Sequence, residues 1–117
     1  MNKAYDLTSL DNITKRIRKN IFKMINKAGG GHISPSLSIV EILTVLYFGG
    51  VLNYDAHYPL GTNRDRFILS KGHACAALYA VLAQAGFFDE KELFTFCQDG
   101  SSLGGHPNMH DIPGVEA

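Results

Sequence analysis

Asn63-Arg64-Asp65-Arg66-Phe67-Ile68-Leu69-Ser70-Lys71-Gly72-His73-Ala74 is the stretch on which the reading of this chain turns. Phe67-Ile68-Leu69 is a short apolar run held between the polar Arg66 and Ser70, and it is the one convincing strand of the sequence. Gly72 then breaks the run, and an alanine-rich segment over residues 74–85, closed by Gly86, predicts a helix. Its small side chains allow close packing against another element. A strand passing directly into a helix opens an α/β fold. Such a strand needs parallel neighbours to pair its backbone groups, and the remaining residues offer no second convincing strand. Residues 1–117 therefore read as the first, incomplete part of a larger domain, mostly helical with one strand.

Working outward, Thr8 followed three residues later by Asp11 predicts a helix start. Leu10, Ile13, Ile17, Ile21, Met24 and Ile25 recur at helical spacing, and Gly29-Gly30-Gly31 ends the helix. Pro35 and the Ser38-x-x-Glu41 spacing predict a second helix through Ile39, Ile42, Leu43, Leu46 and Tyr47, stopping at Gly49-Gly50. Residues 53–66 are polar and turn-rich and predict a loop, with Arg64, Asp65 and Arg66 forming an ion network at its exit. Downstream, Asp89 caps a short helix from Glu90 to about Phe96, and from Asp99 onward glycine and proline predict irregular backbone.

The composition is that of an ordinary globular protein, 45% hydrophobic and 19% charged. No apolar run approaches the ~20 residues that cross a bilayer, and no secretory signal opens the chain, so a cytoplasmic location without membrane attachment is expected. Cys75 and Cys97 are expected as free thiols of a reducing compartment. The net charge of zero conceals a division. Residues 1–31 carry seven Lys/Arg against Asp6 and Asp11, while the other 86 residues carry four against nine acidic residues. The basic helix lacks the interleaved aromatics of a nucleic-acid module, so no nucleic-acid partner is expected and its charges are a solvated or docked face.

Gly-His occurs three times, at Gly31-His32, Gly72-His73 and Gly105-His106. Glycine permits close backbone approach to a ligand, and imidazole donates, accepts and carries protons near neutral pH. Repeating that pair suits a site for a phosphorylated or hydroxylated ligand. His106-x-x-x-His110 also has the spacing of two metal ligands on a helix, but Pro107 and the neighbouring glycines oppose a helix and no further Cys/His pair completes a zinc site.

In order and spacing, Gly30-Gly31-His32-Ile33-Ser34-Pro35-Ser36-Leu37-Ser38, the stretch from Asn63 to Ala74, and Phe96-Cys97-Gln98-Asp99-Gly100-Ser101-Ser102-Leu103-Gly104-Gly105-His106-Pro107 resemble the N-terminal part of the transketolase family. The resemblance runs from the first helix to Gly114-Val115-Glu116. The Ser-Leu-Ser-Ile-Val-Glu helix start and Ile33, where full-length transketolases usually have proline, resemble forms made as separate N- and C-terminal subunits. Cys97 stands where the family commonly has arginine, and Asn108 replaces a usual acidic residue.

The resemblance implies the opening segment of a thiamine diphosphate-binding fold. It further implies a role in moving a two-carbon ketol unit from a ketose phosphate to an aldose phosphate. His73 would lie against the cofactor's diphosphate, and His32 and His106 would face the thiazolium C2 and the donor hydroxyls as catalytic residues. The family holds Mg2+ or another divalent cation through a Gly-Asp-Gly motif and a later asparagine; this chain has neither, so no metal ligands are assigned in it. The implied partners are the remaining transketolase subunit or segment, in a homo- or hetero-oligomer, and sugar phosphates. The isolated chain is expected to be inactive, to bind cofactor weakly, and to self-associate through apolar surface at the strand and the alanine-rich helix. The alternatives are a deoxyxylulose-phosphate synthase fragment, and a non-catalytic assembly subunit or truncated remnant.

Overall fold

The computed structural model of the chain describes residues 4–30, 33–105, 107–109 and 112–116. Helix α1 spans Leu7–Ala28. Its cap is Asp6 rather than Thr8: the Asp6 carboxylate accepts the Ser9 N–H at 2.8 Å from an extended backbone. A carboxylate is the stronger cap, which leaves Thr8 inside the helix and Asp11 available to pair with Lys15 at 3.1 Å. Ile17, Ile21, Met24 and Ile25 are buried, whereas Lys15, Lys19, Lys23 and Lys27 face outward. Gly29 ends the helix with φ +80°, where a side chain is strained, and the Gly29 and Gly30 N–H groups close back onto Asn26 and Ile25 carbonyls.

The second expected helix forms as two, α2 over Ile33–Leu37 and α3 over Val40–Phe48. Ser38 is the break and not a cap. Its hydroxyl donates to the Pro35 carbonyl at 3.0 Å and accepts from Lys71 Nζ at 2.7 Å. The side chain thus competes with the backbone for local hydrogen bonds.

The alanine-rich segment begins as a 3-10 turn, Gly72–Ala74, and continues as α4, Cys75–Gln84. Residues 74–83 are all buried, because α1, α2, α3 and a 3-10 helix at Glu90–Thr95 pack around α4. The expectation that this helix exposes apolar surface is corrected accordingly. Alanine at six positions within 74–85 lets the surrounding helices approach closely. Asp89 caps the 3-10 helix as expected, accepting the Lys91 N–H at 2.9 Å. Glu90 ties that helix to α1, accepting from Arg16 at 2.8 Å and from Asn20 at 3.0 Å.

The expected strand at Phe67-Ile68-Leu69 is not formed as one: among the described residues there is no strand. Residues 66–69 run without helix or turn, and their backbone groups bond to no other backbone segment among the described residues. A strand exists through its ladder, and no neighbour is at hand. Phe67 and Leu69 lie partly buried against the core, while Ile68 is 60% exposed. Large exposed apolar groups also include Leu60, Tyr58, Ile42 and Val51.

The loop before this segment is closed by polar bonds. The Asn53 N–H reaches Asp65 Oδ2 at 2.8 Å, and the Asp65 N–H reaches the Asn53 carbonyl at 2.7 Å. Arg64 turns inward to Glu116 at 2.6 Å, both side chains largely buried. The ion network expected of Arg64, Asp65 and Arg66 is thus one pair made with the far end of the chain. Beneath it lie Tyr47, Tyr54, Phe67 and Phe87, with ring centroids 5.3–6.1 Å apart. Burial raises the Tyr54 phenol to about 12.

Candidate functional site

The N-terminal end of α4 is where the segments bearing the three Gly-His steps come together. His73 sits within the Gly72–Ala74 turn, exposed, while Ala74 directly after it is fully buried. The turn is closed by the Ala74 N–H on the Lys71 carbonyl at 2.9 Å. Burial of Ala74 and Cys75 therefore anchors a turn whose imidazole faces outward.

Helix α2 packs against this turn and against α4. Its first residue, Ile33, directly follows His32, and the Lys71–Ser38 hydrogen bond ties the end of α2 to the residue before Gly72. On the other side, α4 holds the backbone that precedes His106. The Cys75 thiol donates to the Gly105 carbonyl at 3.0 Å, with the Gly104 carbonyl at 3.6 Å, and the Tyr79 hydroxyl donates to Gly104 at 2.7 Å. Cys75 and Tyr79 lie one turn apart on the same helix face. Burial pushes the Cys75 thiol up to about 11, so at neutral pH it keeps the proton that it donates.

His32 and His106 themselves lie outside the described residues, as does His110. The structure describes His73 and His57, and His57 lies far along the chain in the 53–66 loop. Between Asp65 and Asp89 the chain has no acidic residue, so the turn presents imidazole, ammonium and hydroxyl groups from His73, Lys71 and Ser70 without a sequence-adjacent carboxylate. That donor set suits a polyanion such as a diphosphate. Among the described residues no three His, Cys, Asp or Glu side chains are grouped to hold a metal ion. Likewise, no helix among them is long and apolar enough to cross a membrane.

Sequence reasoning did not assign the two anchors, Cys75 and Tyr79. Their signal is a pair of polar-tipped side chains at i and i+4 in a run, 74–83, otherwise built of Ala, Leu and Val. It also did not pair Arg64 with Glu116, which are 52 residues apart.

The pattern of the family described as transketolase, thiamine diphosphate binding domain, matches residues 10–117. One subunit of the apulose-4-phosphate transketolase of Actinobacillus succinogenes is 44% identical over 116 residues, covering 98% of this chain and 41% of the relative. Transketolase of Mus musculus is 42% identical over 101 residues, covering 86% of this chain and 16% of the relative. Among solved structures, transketolase from Leishmania mexicana superposes with a TM-score of 0.84 at 32% identity, covering 97% of this chain and 16% of that one. The chain thus spans under half the length of these relatives. The fold is that of the opening segment of these proteins, and its separate helices and unpaired extended run agree with that placement.

Proposed function

The chain belongs to the transketolase family through its thiamine diphosphate binding domain, and from that membership we propose that residues 1–117 are the N-terminal portion of that domain. Completed by further polypeptide, the chain takes part in transfer of a two-carbon ketol unit from a ketose phosphate to an aldose phosphate. The observation that carries this reading is the gathering of the Gly-His segments at the head of α4, where Cys75 and Tyr79 hold Gly104 and Gly105 while α2 packs on the turn bearing His73.

The three histidines divide between two tasks. His73, exposed and with no acidic residue near it in sequence, holds the cofactor's diphosphate. His32 and His106 orient the donor hydroxyls, and one of them accepts the proton of the hydroxyl on the carbon released as an aldehyde. Thiamine diphosphate, when bound, supplies the electron sink for C–C cleavage, and the protein's part is orientation and proton handling. A divalent cation such as Mg2+ is held by residues outside this chain. The open backbone of residues 66–69 and the exposed Leu60, Ile68 and Val51 support completion by a separate or continuing polypeptide, in a homo- or hetero-oligomer.

The test is complementation. Coexpression with the polypeptide corresponding to the rest of the Actinobacillus succinogenes relative, and with the other half of that enzyme, should give cofactor binding and ketol transfer that the chain alone lacks. In that assembly His73→Ala should weaken cofactor binding with recovery at high cofactor concentration, because a diphosphate contact persists in ground and transition states alike. His32→Ala and His106→Ala should bind cofactor normally and lose kcat by ~10²–10⁴-fold. Equal, modest effects of alanine at these positions and at His57 would refute the assignment.

A further inference from the structure

Two thiols flank one glycine step. The Cys75 sulfur lies 3.0 Å from the Gly105 carbonyl oxygen, and a Cβ placed on Gly105 would lie 3.9 Å from the Cys97 sulfur. Their separation is therefore at most about 10 Å given the dimensions of one residue. Packing brings them together: Phe96 meets Tyr79 edge-on at 5.9 Å, one helical turn from Cys75. Burial chiefly, and the neighbouring Cys97 in addition, oppose ionisation of Cys75.

The two thiols differ in access. Cys75 is buried and Cys97 is exposed. Cys97 also has φ +57°, a left-handed conformation that strains a non-glycine residue. Gly100, Gly104 and Gly105 around it can re-form the loop without side-chain clashes.

We propose that Cys97 is an oxidation site whose sulfenic acid is captured by Cys75 as an intramolecular disulfide. In the first step a peroxide oxidises Cys97: the O–O bond breaks, sulfur gains one oxygen as S–OH, and water or an alcohol leaves. In the second, the Cys75 sulfur attacks the Cys97 sulfur. An S–S bond forms, the S–O bond breaks, and the Cys75 proton leaves with the hydroxide as water. Two electrons pass from two thiols to one peroxide. The new bond removes the thiol donor from the Gly104 and Gly105 carbonyls. The inference concerns these thiols alone and stands whether or not ketol transfer is the activity.

The full chain is treated with hydrogen peroxide and digested with trypsin. Cleavage at Lys71 and Lys91 leaves Cys75 in residues 72–91 and Cys97 in residues 92–117. A linked pair of these peptides is expected, with loss of about 2 Da reversed by dithiothreitol. Cys75→Ser should instead leave Cys97 as a sulfenic acid trapped by dimedone, and Cys97→Ser should leave Cys75 reduced. The native chain should form the bond about tenfold faster than the chain unfolded in guanidinium, because the fold holds the two sulfurs within reach of each other and this proximity outweighs the burial of Cys75. Equal rates in the two states, over-oxidised Cys97 beside reduced Cys75, or only disulfide dimers would each overturn the proposal.

Discussion

Removing the Tyr79 hydroxyl isolates the contact that anchors the candidate site to the core. Tyr79 is fully buried on α4, and its hydroxyl donates to the Gly104 carbonyl at 2.7 Å. Tyr79→Phe keeps the ring against Phe96 and creates almost no cavity. A neutral hydrogen bond contributes ~1 kcal/mol net, and a buried acceptor left unpaired costs ~1–3 kcal/mol. Gly104 is only half-buried and the Cys75 thiol stays 3.6 Å from the same carbonyl, so the penalty falls at the lower end. A loss of ~1 kcal/mol is expected, lowering Tm by about 5 °C for a domain near 100 residues. Urea unfolding followed by far-UV circular dichroism measures it, with an unchanged denaturant slope because the exposed area is the same. Hydrogen exchange should rise at residues 103–105 and not in α1. An unchanged midpoint, or faster exchange spread evenly through the helices, would refute the view that Tyr79 pins this loop.

Other perturbations test the remaining joints. Arg64→Ala leaves Glu116 buried without its partner and should cost ~3 kcal/mol or more, while the double change Arg64→Met with Glu116→Leu should recover most of that loss; equal losses in both variants would count against the pair. The Arg16 guanidinium, with Asn20, holds the Glu90 carboxyl below its ordinary value of 4.5. The resulting stabilisation is full above the unfolded-state value and is lost as pH falls through the lower folded-state value; Glu90→Gln should flatten acid unfolding below about pH 4.5, and an unaltered profile would contradict this. Exposed Leu60 and Ile68 should drive self-association of the isolated chain; Ile68→Lys should reduce it in sedimentation, whereas a monomeric parent chain would remove the argument.

Local chemistry by itself determined most of the helical inventory. The spacing of Ile17, Ile21, Met24 and Ile25 places one buried face on α1, Gly29 ends it, and Asp89 starts the last short helix; each depends on residues a few positions apart. The family membership, too, was legible in three strings of residues, each carrying a Gly-His step at a set interval. Tertiary structure decided what depends on partners distant in the chain. Ser38 breaks a helix by bonding Pro35 while receiving Lys71 from 33 residues away. Residues 66–69 have strand composition without a ladder, since pairing requires a neighbour that the described residues do not supply. The hold of Cys75 and Tyr79 on Gly104 and Gly105 spans 25–30 residues. No periodicity encodes it: the partner is a backbone carbonyl, which every residue carries, and only the folded path of the chain selects which one is reached.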